Sequence, residues 1–134
     1  MTYLLDTDIC VYILNNRPAH VSDKFKAVGA SNMGLSSITV AELRFGAEKS
    51  RYGKRNRRAL EGFISALETA AFTGRDARFY ASLRAELERA GIPIGPLDTL
   101  IAAHALSLGA TLVTNNTREF SRVPELRLEN WTDV

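Results

Sequence analysis

Four acidic residues occupy matching places along this 134-residue chain. Asp6 ends the apolar run Tyr3-Leu4-Leu5. Glu42 lies in Ile38-Thr39-Val40-Ala41-Glu42-Leu43, where a helix is predicted to open. Asp98 lies in Gly95-Pro96-Leu97-Asp98-Thr99-Leu100, where another opens. Glu119 follows the apolar run Thr111-Leu112-Val113-Thr114, in Asn115-Asn116-Thr117-Arg118-Glu119-Phe120. Each acid falls just past a predicted strand end, or at a helix start beside one, and in an open α/β sheet those places gather in one crevice. Carboxylates forced together repel and need a cation. Mg²⁺ and Mn²⁺ meet that need, because hard divalent ions prefer carboxylate and water oxygens.

The elements that must position these acids alternate. Tyr3–Leu5 is short and apolar, as a buried strand is. Ile9, Val11, Tyr12, Ile13 and Leu14 give a short helix, stopped by Asn15-Asn16-Arg17-Pro18. A helix over about Ala19–Ala27 leads through Gly29 to a strand at Met33–Ser36. Thr39 is the expected cap of a helix over Val40–Lys49, and Gly53 separates that helix from another near Arg57–Leu67. Ala70–Phe72 is a predicted strand. Asp76–Ala90 is a long helix closed by Gly91 and Pro93, and Thr99–Leu108 a helix closed by Gly109. Thr111–Thr114 and Leu126–Leu128 supply a fourth and a fifth strand. Such alternation makes a mainly parallel sheet covered on both faces.

Composition narrows the class. A hydrophobic share of 46% and a charged share of 24% are ordinary for a globular domain, and residues 1–134 are read as a single one. A net charge of +2 does not mark a nucleic-acid binder. The local cluster Lys49, Arg51, Lys54, Arg55, Arg57 and Arg58 is a candidate RNA-backbone contact, since phosphate neutralisation dominates nucleic-acid affinity. Its plainer use is a solvated surface paired with Glu48 or Glu61. The single cysteine, Cys10, excludes an internal disulfide and fits a reducing compartment. Asp6 and Asp8 interrupt the N-terminal apolar stretch, no apolar run is long enough to span a bilayer, and a cytoplasmic location without membrane contact is expected. There is no Gly-rich phosphate loop, so a nucleotide-binding reading lacks its main support.

Leu4-Leu5-Asp6-Thr7-Asp8, Thr39-Val40-Ala41-Glu42-Leu43, Gly95-Pro96-Leu97-Asp98-Thr99-Leu100-Ile101-Ala102-Ala103 and Thr114-Asn115-Asn116-Thr117-Arg118-Glu119-Phe120 resemble the acidic motifs of PIN-domain ribonucleases. The match is best to the VapC toxins of bacterial VapBC toxin–antitoxin pairs, and it runs from about Tyr3 to Trp131. Two positions depart from the family's habit: residue 8 is Asp where Asn is common, and Glu119 stands where Asp is frequent. The resemblance implies a three-layer α/β/α PIN-like domain with a central parallel sheet of four or five strands. It implies an endoribonuclease that needs Mg²⁺ or Mn²⁺, with Asp6, Glu42, Asp98 and Glu119 as its catalytic, metal-holding acids. Thr7, Asp8, Thr114 and Asn116 adjoin them and are candidates for supporting the ligands or contacting substrate. A set of acids without histidine or cysteine suits Mg²⁺ or Mn²⁺ rather than zinc.

The resemblance also implies partners. A VapB-like antitoxin would silence the toxin, a homodimer and a toxin–antitoxin hetero-oligomer would form, and DNA would be met only through the antitoxin. The expected substrate is RNA, with transfer RNA, including initiator transfer RNA, as the leading class. Two other functions stay open at this point: a PIN nuclease of RNA processing or DNA repair, and a non-catalytic co-repressor subunit. Four clustered acids speak against pure binding, because without a metal they would repel phosphates.

Each acid also has a plainer use. Thr39-Val40-Ala41-Glu42 reads as a capping box, and Asn116-Thr117-Arg118-Glu119 resembles one. Asp6 fits a cap, and Asp98 a helix N-terminus favoured by the dipole. Capping explains each acid singly but not the placement of all four. Elsewhere, His104 on its apolar helix is expected in the core or an interface, and neither His20 nor His104 has metal-ligand spacing. Cys10 reads as a small buried apolar group, and Trp131 as a clamp on the last strand.

Overall fold

The computed structural model describes residues 1–50 and 53–133, with residues 53 and 54 given by their place in a helix only. Five strands, β1 (Tyr3–Leu5), β2 (Met33–Ser36), β3 (Glu68–Ala70), β4 (Thr111–Val113) and β5 (Leu128–Glu129), form one sheet in the order β3-β2-β1-β4-β5. Every pairing is parallel, with Tyr3 opposite both Met33 and Thr111, Ser36 opposite Ala70, and Leu112 opposite Leu128. The chain builds outward from β1 to β3, then returns to the other side of β1 for β4 and β5. The reversal falls between β1 and β4, and a crevice opens beyond the strand ends at such a switch point.

Seven α-helices cover the sheet among the described residues: α1 (Thr7–Asn15), α2 (Ala19–Val28), α3 (Ser37–Lys49), α4 (Gly53–Ala66), α5 (Gly74–Arg89), α6 (Pro96–Leu108) and the one-turn α7 (Thr117–Phe120). Successive strand residues face opposite ways, which divides the core in two. Leu5, Leu35 and Val113 pack with α1 to α4 through Ile9, Val21, Leu43, Leu60 and Ile64. Leu4 and Leu112 pack with α5, α6 and α7 through Leu83, Leu87, Ile101 and Phe120. These are the three expected layers. Trp131 is buried and meets Tyr3 edge-on at 5.9 Å, so the C-terminal segment is held against β1 as anticipated. Cys10 is buried, and burial pushes its thiol pKa up.

Several local expectations change. The cap of α3 is Ser36, whose Oγ accepts from the Ile38 N–H at 3.0 Å, so the predicted cap Thr39 lies inside the helix and is fully buried. Glu42 therefore stands in the second turn and makes no capping box. The chain reverses so tightly out of β2 that its last residue serves as the cap, which moves the helix start forward. Strand β3 begins two residues before Ala70, paired with Gly34 and Leu35, and β5 begins at Leu128 rather than Leu126. Helix α1 starts at Thr7, since Asp6 caps it. Helix α4 starts at Gly53, before Arg57. Helix α5 starts at Gly74 behind a capping box made by Thr73 and Asp76. The helix stops are as expected, with Gly91 and Gly109 at φ of 72° and 67°, a left-handed conformation that glycine adopts without a Cβ penalty. No described helix is long and apolar enough to cross a membrane.

Candidate active site

Asp6 is the structural centre. It follows β1 directly, and its backbone N–H donates to the Val113 carbonyl at 2.9 Å, continuing the β1–β4 ladder by one step. The side chain is 3% exposed. Its Oδ1 accepts from the Thr7 N–H at 2.8 Å and its Oδ2 from the Thr114 hydroxyl at 2.8 Å. Asp6 is thus both a helix cap and a buried acid at the switch point, and the two uses do not compete. Burial lifts its pKa from 3.8 to about 6, against the hydrogen bonds of Thr114 and Thr7 and with help from the charges of Asp98 and Asp8.

Asp98 enters from the first turn of α6, behind Pro96 at the start of the helix. A helix N-terminus favours the carboxylate, yet the pKa is raised from 3.8 to about 6. Burial is the main cause, followed by the charges of Glu119, Glu42 and Asp8. These shared electrostatic effects place Asp6, Asp98, Glu42, Glu119 and Asp8 around one region. Asp8 itself is exposed.

The two glutamates are each steered by a neutral donor. The Thr7 hydroxyl donates to Glu42 Oε1 at 2.9 Å and lies 3.5 Å from the Thr39 hydroxyl. The Asn116 amide donates to Glu119 Oε2 at 3.3 Å, and the Asn116 N–H donates to Thr114 Oγ1 at 3.0 Å. Asn116 makes no side-chain cap for α7, so the expected capping box there is replaced by a side-chain contact. Thr7, Thr114 and Asn116 each touch an acid or orient a neighbour that does. Asn115, beside them, donates to the Tyr12 hydroxyl at 2.9 Å, while its Oδ1 is buried without a partner among the described residues.

The donor set suits a hard cation. It is all carboxylate and hydroxyl oxygen, and none of the four acids is ion-paired to a described basic residue. Burial raises the pKa of Asp6 and Asp98, and the neighbouring acids add to it. Among the described residues no group of three or more His, Cys, Asp or Glu side chains is placed to hold a metal ion. Mg²⁺ does not require one, since it keeps several waters and takes one or two carboxylates. Asp6 and Asp98 are the pair whose charges most need neutralising.

Beside Glu42 and Thr7 a groove of about 310 Å³ runs past Val11, Leu14 and Leu43 to Leu60. The basic cluster lies on and beyond the end of α3. Arg57 pairs with Glu48 at 3.2 Å, Lys49 lies 5.6 Å over the Phe45 ring, and Arg55 and Arg58 are exposed. Arg51 lies outside the described residues, and the Lys54 side chain is likewise not described. Sequence reasoning missed the polar chain Ser36–His104–Asp76. Thr73-x-x-Asp76 had the capping-box spacing that would have flagged one end of it.

The PIN domain family model matches residues 3–126. The chain is 45% identical over 131 residues to the tRNA(fMet)-specific endonuclease VapC of Salmonella typhimurium, covering 98% of each. It is 45% identical over 132 residues to ribonuclease VapC2 of Rickettsia felis, again covering 98% of each. Among solved structures, the fold recurs in a chain of DNA-bound VapBC from Salmonella typhimurium, with a TM-score of 0.93, 45% identity and 98% coverage of both chains.

Proposed function

The chain belongs to the PIN-domain family and, within it, to the VapC ribonucleases, and from that premise we propose that it cuts transfer RNA with Mg²⁺ or Mn²⁺ held by Asp6 and Asp98. The observation that carries the reading is the buried Asp6 at the β1–β4 switch point, with Asp98, Glu42 and Glu119 acting on the same space and no described cation among them. The relatives' names support initiator transfer RNA as the substrate.

A divalent ion, when bound, supplies Lewis-acid stabilisation of the phosphodiester's developing charge and a water of lowered pKa. The chain supplies the rest. Thr7 and Thr114 each hold one oxygen of Asp6, so its carboxylate is already oriented. Asp98 stands in the first turn of α6, and its charge acts on Asp6. Glu42, fixed by Thr7, and Glu119, fixed by Asn116, stand where each can accept a proton or orient a water. Exposed cations at Arg55, Arg58 and Arg118 can approach substrate phosphates.

The VapBC complexes among the solved relatives support a VapB-like antitoxin as the restraint. An apolar segment of that partner fits the groove beside Glu42, and a basic side chain carried with it would find the acids, since buried carboxylates seek a cation. The toxin–antitoxin hetero-oligomer, a homodimer within it and DNA contact only through the antitoxin follow the same reading. So does one functional domain spanning residues 1–134.

The test is cleavage of purified transfer RNA by the purified chain, with 5′-end mapping. Cutting should appear with Mg²⁺ or Mn²⁺, stop with chelator, and fall at one place on initiator transfer RNA. Undiminished cutting by chelated protein would falsify the metal reading. Growth unaffected by abundant free chain would count against the toxin role.

A further inference from the structure

Ser36, His104 and Asp76 form a buried polar chain that the proposed chemistry leaves unused. His104 is 1% exposed in the middle of α6. Its Nδ1 lies 2.8 Å from Ser36 Oγ, its Nε2 lies 3.5 Å from Asp76 Oδ2, and the ring also meets the Ala71 backbone. Phe72 meets the ring edge-on at 5.3 Å. With Nε2 beside the Asp76 carboxylate, a proton on that nitrogen is the favoured arrangement, and it leaves Nδ1 to accept from the Ser36 hydroxyl. Ser36 in turn accepts from the Ile38 N–H. Asp76 is held by the Thr73 N–H at 2.7 Å and the Thr73 hydroxyl at 3.0 Å. Ser107 also hydrogen-bonds Asp76, so both ends of the chain are anchored.

The chain's ends matter for the site. Ser36 caps α3, and Glu42 lies on that helix six residues later (42 − 36). His104 lies on α6 six residues after Asp98 (104 − 98). One hydrogen bond thus joins the start of the helix carrying Glu42 to the helix carrying Asp98. A polar group buried at this cost is expected to specify geometry where an apolar residue would fill the space as well.

We propose that His104 is a positioning residue: through Ser36 it locks the start of α3 to α6 and so sets the spacing of Glu42 and Asp98 for the metal. The inference rests on the reading of those acids as the metal site.

The experiment titrates Mn²⁺ into the purified full chain and follows uptake by the loss of the free-ion electron paramagnetic resonance signal. His104→Asn places a carbonyl oxygen where Nδ1 stands and can still accept from Ser36. His104→Gln reaches toward Asp76 but not Ser36, and His104→Phe fills the volume with neither bond. The Gln and Phe variants should bind Mn²⁺ about tenfold more weakly, as loss of a supporting contact does, while Asn keeps most of the affinity. Cleavage at saturating Mn²⁺ should change little. Wild-type affinity in His104→Phe, with only a lower melting temperature, would reduce His104 to core filling. An Asn variant no better than Phe would remove Ser36 from the link. If the His104 variants do not fold, Ser36→Ala tests the same bond from its other end, and unchanged Mn²⁺ uptake there overturns the proposal. Wild-type protein that takes up no Mn²⁺ would instead sink the metal reading itself, and this inference with it.

Discussion

Thr114 donates its hydroxyl hydrogen to Asp6 Oδ2 at 2.8 Å, joining two residues 108 positions apart at the ends of adjacent strands. Both side chains are buried, at 0% and 3% exposure. The bond holds the Asp6 carboxyl pKa below the value that burial alone would impose. Thr114→Val keeps the shape and removes the donor. The pH at which Asp6 ionises should rise, and the acidic limb of the cleavage profile should move to higher pH. The cost of an unpaired buried acceptor is about 1–3 kcal/mol. A pH–rate series with a melting curve checks both, and an unmoved acidic limb would remove Thr114 from the site.

Asp6 makes the metal-free protein less stable as pH rises. Its folded pKa of about 6 exceeds the ordinary 3.8, so between those values the folded state binds more protons than the unfolded state. Stability then falls with rising pH across that window. A shift of this size corresponds to roughly 3 kcal/mol at full ionisation. The difference in unfolding free energy between wild type and Asp6→Asn, followed from pH 4 to 7, isolates the effect. Added Mg²⁺ should reverse the trend and release protons on binding near pH 6, since Asp6 and Asp98 must ionise to bind it. A difference that stays flat with pH would mean that Asp6 is not held protonated.

Glu42 stands in the second turn of α3, where it serves no cap. Glu42→Gln should therefore leave the helix intact, with a metal-free melting temperature equal to or above wild type through relief of repulsion. RNA cleavage should fall about 100-fold or more, as expected when a proton-transfer or ligand carboxylate is lost. Ser36→Ala removes the cap instead and should cost about 1 kcal/mol or more, since it also breaks the His104 bond, while single-turnover cleavage at saturating Mn²⁺ stays near wild type. Calorimetry with single-turnover cleavage separates the two, and a Gln variant that cuts normally would exclude Glu42 from the chemistry.

Thr7 steers Glu42 through a 2.9 Å hydrogen bond. Thr7→Val should raise the Mn²⁺ concentration needed for half-maximal cleavage by about tenfold, and Thr7→Ser should restore it. The same metal dependence in all three proteins would show the bond to be incidental.

Arg55 and Arg58 are exposed, while Arg57 is engaged by Glu48 at 3.2 Å. If this face tracks RNA, Arg58→Ala should reduce the salt dependence of transfer-RNA binding by about one unit of slope. Arg57→Ala should change it less, because its charge is already partly neutralised. Filter binding across a salt series on an inactive Glu42→Gln background is the measurement, and equal slopes would return the cluster to a solvated surface.

The sequence alone determined the alternation of elements and the helix stops at Gly91 and Gly109, and it singled out the four acids as candidates. Apolar periodicity, left-handed glycines and the position of an acid after a strand are local properties, and local properties are written in order along the chain. Tertiary structure decided the rest. That Ser36, not Thr39, caps α3 depends on how abruptly β2 ends, which pairing with β3 governs. That Glu42 is therefore free for the site, and that Thr7 and Asn116 aim the two glutamates, depends on side chains brought close only after the sheet has closed. The two acids with pKa values near 6 look like any aspartate in the sequence. Burial raises them, and burial is created by residues far away in the chain. His104 shows the same division: its apolar neighbours announce a core position, but its partners Ser36 and Asp76 are chosen by the packing of α6 against the end of β2 and α5.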